Sequence, residues 1–329
     1  MPTRTTKAVL FVVGVTVVAA ITACSTDASP PPASAGGAGG EATSEGGQAQ
    51  ASASDAASTG GHTPMDAAPQ TGGMGPDAGM GTSPLSSLPT RSPGCGKPAV
   101  GTGAYMRESM QIANKPRANF VWVPANYDPN RAYALLFTLH GTGGVAPGDG
   151  KNIELSAGKD AIIMTPQAIG GTWQLGVAGE DVMFWDAMLQ NALNAFCINP
   201  QRVFVMGFSR GGAMTNLLGC VRGDKVRGLG PQAGWQPAPQ TACTGRPAAR
   251  FVHGGQDGVV PVVQGYRSRD LQNARNGCEP TTDPKEPAPC VQQRGCMPGS
   301  PVVWCEIPGD HGAPVEWLVP ATWQFFESL

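Results

Sequence analysis

Ser209 stands in the pattern Gly207-Phe208-Ser209-Arg210-Gly211, after an apolar run and before a stretch of small and apolar residues. A serine hydroxyl becomes an effective nucleophile toward a carbonyl carbon when a neighbouring base takes its proton. In a chain with 46 glycines among 329 residues the pattern G-x-S-x-G arises easily by chance, so its surroundings must carry the reading. Four histidines are available as bases: His62, His140, His253 and His311. Five aspartates that follow Ser209, namely Asp224, Asp257, Asp270, Asp283 and Asp310, are the acids weighed for orienting such a base. Which of them meet depends on the elements that hold them.

Short runs rich in Val, Ile, Leu and Phe lie at 119–124, 133–141, 161–166, 202–208, 249–255 and 301–309. Near-continuous apolar strands of this kind belong to a parallel sheet covered on both faces. Helical spacing falls between them. Val182, Trp185, Leu189, Leu193 and Phe196 mark one buried helix face, and Met214, Leu217 and Leu218 mark a helix after Ser209. Residues 261–275 form a weaker helical segment, and the terminal helix is expected to break or kink near Pro320. Alternating strands and helices predict an α/β domain with a mainly parallel sheet and helices on both faces.

In such sheets ligands gather beyond the carboxyl ends of the strands. Ser209 directly follows the strand 202–208 and precedes a helix, the context in which G-x-S-x-G forms a sharp nucleophile turn. Its chain order, Ser then Asp or Glu then His, leaves His253 and His311 as bases. Of these, only His311 leaves room for an acid on an intervening strand end. His253 reads as a satisfied histidine at a strand end. Asp257 follows the strand 249–255 by a short turn and is the expected acid. Asp310 is the rival, although adjacency in sequence to His311 turns two side chains apart. Asp224 reads as a loop residue, Asp270 as helical, and Asp283 sits in a proline-rich insertion. The stretch "HGTGG" at 140–144 follows the strand 133–139, and the backbone N–H groups of Thr142 and Arg210 are the expected oxyanion donors.

The N-terminus tells a different story. Arg4 and Lys7 precede an apolar stretch, Ala8 to Ile21, too short to span a bilayer comfortably. This is a secretory signal. Ile21-Thr22-Ala23-Cys24 resembles a bacterial lipobox, which implies a signal peptide over 1–23 and lipid attachment at Cys24. Residues 24–94, built from Gly, Ala, Ser, Pro and Thr, read as a disordered tether that includes His62. Residues 95–329 then form the working domain. The expected location is outside the cytoplasm, membrane-anchored at an outer membrane or cell surface, or otherwise secreted.

Eight further cysteines, Cys95, Cys197, Cys220, Cys243, Cys278, Cys290, Cys296 and Cys305, suit a disulfide framework whose connectivity the sequence leaves open. Cys290 and Cys296 read as a loop staple. No spacing suits a zinc site, so no metal is expected, nor any cofactor. A net charge of −2 provides no electrostatic footprint for nucleic acid.

Four pieces taken together, "LHGTGG", "RVFVMGFSRGGAM", "HGGQDGVVP" and "GDHGAP" followed by "TWQFF", resemble the esterase and polyhydroxybutyrate depolymerase group of α/β-hydrolases, which includes feruloyl and acetylxylan esterases of carbohydrate esterase family 1. The resemblance spans nearly all of 95–329. It implies an α/β-hydrolase fold, a triad of Ser209, Asp257 and His311, and an ester substrate, either a feruloyl or acetyl ester of plant polysaccharide or, alternatively, a polyester such as polyhydroxybutyrate. From another class, a non-catalytic binding module on the same fold would show an incomplete triad. Two departures from the group are Thr142 where depolymerases have cysteine, and Gly312-Ala313-Pro314, where members often carry a tryptophan between the histidine and the proline. Trp317 is a candidate to fill that gap, and Trp173, Trp185 and Trp235 read as core, with aromatic surface for a phenolic acyl group as the alternative for each.

Overall fold

The computed structural model describes residues 84–148, 153–312 and 315–329. The signal segment, Cys24 and the tether up to residue 83 lie outside the described residues, as does His62. Ten strands form one sheet in the order β1-β2-β4-β3-β5-β6-β7-β10-β9-β8. Its centre is parallel: β4 (Ala161–Pro166), β3 (Tyr133–Leu139), β5 (Ile198–Phe208), β6 (Gly228–Gln232), β7 (Ala248–Gly254) and β10 (Val302–Ile307). The margins are antiparallel, with β1 (Tyr105–Ile112) and β2 (Lys115–Trp122) on one side and β9 (Cys290–Gln293) and β8 (Thr282–Lys285) on the other.

The parallel strands alternate between two cores. On β3, Leu135, Phe137 and Leu139 face one side, while Ala134 and Leu136 face the other. The first side is covered by α2 (Glu180–Ala195), α3 (Arg210–Val221) and α4 (Val262–Asn276). The second is covered by α1 (Ile153–Ala157) and α5 (Leu318–Glu327). Burial on both faces is why β3, β4 and β7 are enclosed at every residue.

Three findings depart from the sequence expectations. Residues 84–94, assigned to the tether, join the domain: Ser92 Oγ donates to Phe196 O at 2.6 Å, and Leu85 is buried. Small polar residues order here because the start of β5 offers them backbone partners. The terminal helix does not break at Pro320 but begins at Leu318, so the proline occupies the first turn, where its missing N–H costs nothing. Cys290 and Cys296 are not joined to each other. The disulfides are Cys95–Cys197, Cys220–Cys243, Cys278–Cys296 and Cys290–Cys305. Cys290 pairs with Cys305 because β9 lies beside β10 with these two residues in register. Trp173 and Trp185 are each only 1% exposed and belong to the core, as expected for them. Among the described residues no helix is long and apolar enough to cross a membrane.

Candidate active site

The end of β5 turns sharply into α3 at Ser209, whose backbone adopts φ 56° and ψ −120°. A non-glycine residue held at positive φ is strained and persists where the surroundings over-determine it. Here the Ser209 N–H donates to Gln232 O at 2.9 Å and its carbonyl accepts from Ala213 N at 2.9 Å. The flanking glycines are steric necessities. A Cβ at Gly207 would lie 2.5 Å from Gly211 O, and one at Gly211 would lie 2.1 Å from Leu139 O. This turn projects Ser209 at the carboxyl edge of the sheet.

Asp257 follows β7, and His311 follows β10, its parallel neighbour. Their side chains meet: His311 Nδ1 lies 2.7 Å from Asp257 Oδ2. A carboxylate accepts, so Nδ1 carries the proton and Nε2 is left free to accept one. The other carboxylate oxygen, Oδ1, accepts from the N–H groups of Val259 at 2.9 Å and Val260 at 2.7 Å. The Asp257 side chain is fully enclosed, while that of His311 is 14% exposed. Burial pushes the Asp257 pKa up, but the bonds from His311 and from the Val260 and Val259 N–H groups outweigh it, so the carboxyl titrates below its ordinary range. The His311 ring packs on Phe208, the neighbour of Ser209, at 4.8 Å between centroids. Asp310 faces elsewhere, accepting from the N–H groups of Gly258 at 2.8 Å and His311 at 2.6 Å. It therefore shapes the turn without touching the His311 ring's Nδ1.

On the other flank, the loop after β3 runs beside the serine. A Cβ on Gly141 would come within 3.5 Å of Ser209 Cβ. Among the described residues, neither the Thr142 nor the Arg210 N–H is bonded to a backbone carbonyl. The loop is clamped from outside by Gln167, which follows β4. Its Oε1 accepts from Ala146 N at 2.7 Å, and its Nε2 donates to Gly144 O at 3.2 Å. His140 is 2% exposed and belongs to this clamp, its Nε2 accepting from Ala168 N at 3.1 Å. Trp173 Nε1 donates to His140 O at 2.8 Å, and Arg210 Nε donates to Trp173 O at 2.6 Å. Sequence reasoning missed Gln167; its one signal was its place just beyond a strand end. Trp317 packs against the core on the α5 side of the sheet, with the Arg250 guanidinium 5.2 Å from its ring centre.

A sheet of this order, with a serine on a strained strand-to-helix turn and an aspartate–histidine pair on later strand ends, defines an α/β-hydrolase. An acetyl xylan esterase from Aspergillus awamori has the same fold, with a TM-score of 0.57 at 15% identity, covering 68% of this chain and all of that one. No protein-family profile matches the chain. Similarity in sequence is more specific. Feruloyl esterase D of Neurospora crassa is 34% identical over 278 residues, 74% of this chain and 93% of that protein. Feruloyl esterase C of Emericella nidulans is 32% identical over 258 residues, 71% of this chain and 90% of that protein. The chain belongs to the feruloyl esterase family and is a carboxylic ester hydrolase.

Proposed function

We propose that the protein is an exported serine esterase that cleaves feruloyl or acetyl esters of plant polysaccharide through a covalent acyl-enzyme. Ser209 Oγ attacks the ester carbonyl while His311 Nε2 takes its proton. Asp257 holds the imidazole with Nδ1 protonated and stabilises the imidazolium as it forms. The N–H groups of Thr142 and Arg210 receive the developing oxyanion. His311 then hands its proton to the leaving alcohol and activates the water that releases the acid. The observation that carries this reading is the 2.7 Å bond between His311 Nδ1 and Asp257 Oδ2, beside the strained Ser209 turn. The names of the relatives support the acyl group, and the signal and lipobox residues ending at Cys24 support export and anchoring.

Rates on methyl ferulate, acetylated xylan and polyhydroxybutyrate test the substrate. Hydrolysis of the first two is expected, and turnover of the polyester alone would replace this reading with the depolymerase. Unchanged p-nitrophenyl acetate hydrolysis by Ser209→Ala would overturn the assignment of the nucleophile. Partition of the mature protein into a detergent phase tests the lipid at Cys24, and retention in the aqueous phase would refute it.

A further inference from the structure

We infer that His253, which the sequence marks only as a satisfied residue at a strand end, is a positioning residue for Asp257. This rests on the triad proposed above. His253 ends β7 four residues before Asp257 and is 2% exposed. Its Nε2 lies 2.8 Å from Val260 O and 3.3 Å from Asp257 Oδ2. A carbonyl only accepts, so Nε2 carries the proton and donates to Val260.

That bond closes a ring of contacts around the acid. The Val260 backbone is held on both sides, its C=O by His253 and its N–H by Asp257 Oδ1 at 2.7 Å. The same Nε2 lies 3.3 Å from Oδ2, the oxygen that accepts the hydrogen bond of His311 Nδ1. Asp257 is thereby confined to the rotamer in which Oδ2 faces His311. The site is built to admit the ring. Gly265 on α4 leaves the space, since a Cβ there would lie 2.5 Å from His253 Nδ1. Trp304 on β10 packs at 6.2 Å between centroids with a 26° tilt between the rings. An apolar side chain would fill this enclosed place without desolvating a polar ring, so packing alone does not account for an imidazole here.

His253→Phe keeps the ring volume and removes the donor, whereas His253→Gln places an amide N–H near the position of Nε2. On p-nitrophenyl acetate, His253→Phe is expected to lower kcat by about tenfold or more, in keeping with a buried Val260 carbonyl beside the acid left without its donor. KM is expected to stay within about twofold, and His253→Gln to recover most of the rate. Rates are normalised to folded enzyme by circular dichroism and by titration with a serine-directed fluorophosphonate. Full kcat in folded His253→Phe would overturn the inference, as would equal loss in the Phe and Gln variants or a loss confined to KM. Ser209→Ala separates the two levels. If it retains activity, the proposed triad fails; if it is inactive while His253→Phe is unimpaired, only the role of His253 fails.

Discussion

The two flanks of the site are made by different means. The nucleophile flank, from the loop at 141–146 to the turn at Ser209, is shaped by backbone. Glycine stands at 207 and 211 because carbonyl oxygens of neighbouring segments occupy the space of a side chain. The flank of the proposed acid and base is shaped by side chains, with one enclosed carboxylate receiving His311 and two backbone N–H groups, and His253 holding the Val260 carbonyl beside it. The first flank should therefore fail sterically when a Cβ is added at Gly207 or Gly211. The second should fail chemically when a proton donor or acceptor is lost, and should tolerate a Cβ at the turn residue Gly258.

The largest expected effect sharpens this contrast at the serine itself. Ser209→Ala should lower kcat on p-nitrophenyl acetate by about 10⁴-fold or more with no loss of thermal stability, since only the nucleophile is removed. Asp257→Asn should cost about 10³- to 10⁴-fold in kcat by favouring the wrong imidazole tautomer. It also carries a pH signature. The folded Asp257 pKa lies below its unfolded value near 3.9, so the ionised group adds stability above that pH and loses it as pH falls through the folded pKa. The Tm advantage of the parent over Asp257→Asn should accordingly shrink below about pH 4, and a constant difference in acid melts would contradict the shifted pKa.

A smaller effect is expected from Gly211→Ala. Its Cβ would press on Leu139 O, and overpacking of this kind costs roughly 1–3 kcal/mol. Denaturant melts measure the loss, and kcat should fall with it because the turn must shift. Smallest of all is Gly258→Ala on the acid–base flank, where the nearest atom to a new Cβ is Asp310 Oδ1 at 3.7 Å. Stability within about 0.5 kcal/mol and kcat/KM within about twofold are expected. Equal damage from the two glycine substitutions would erase the distinction between the flanks.

Legibility in the sequence follows the same division. Strands β3, β4, β5, β7 and β10 sit between two helical layers, so their apolar runs announce themselves. Strand β6, with the sequence GLGPQ, does not. It looks like a loop because its glycines make room for others: a Cβ at Gly230 would meet Thr322 and Phe326 of α5. The exposed edge strand β1 carries Arg107 and Ser109 on an open face and lacks a clear apolar pattern. The Cys290–Cys305 pairing depends on the register of β9 against β10, which no local pattern encodes. The sequence order and scarcity of histidines singled out His311 and Asp257, the pair the fold brings together. Gln167 escaped because its work is done on backbone groups, which any sequence supplies, whereas His253 reads as a satisfied histidine at a strand end and does bond the Val260 carbonyl.

The segment ending at Cys95 bonds to Phe196 and Ile198, at the opposite end of β5 from Ser209. An extended strand of that length spans roughly 33 Å. A surface that captures this enzyme by its N-terminal side therefore meets the blunt foot of the sheet, with the mouth of the site turned outward. Immobilised that way on a bead or a fibre, the enzyme would still meet a bulky polymer head-on, whereas coupling through the loops around Val259 would press the opening shut.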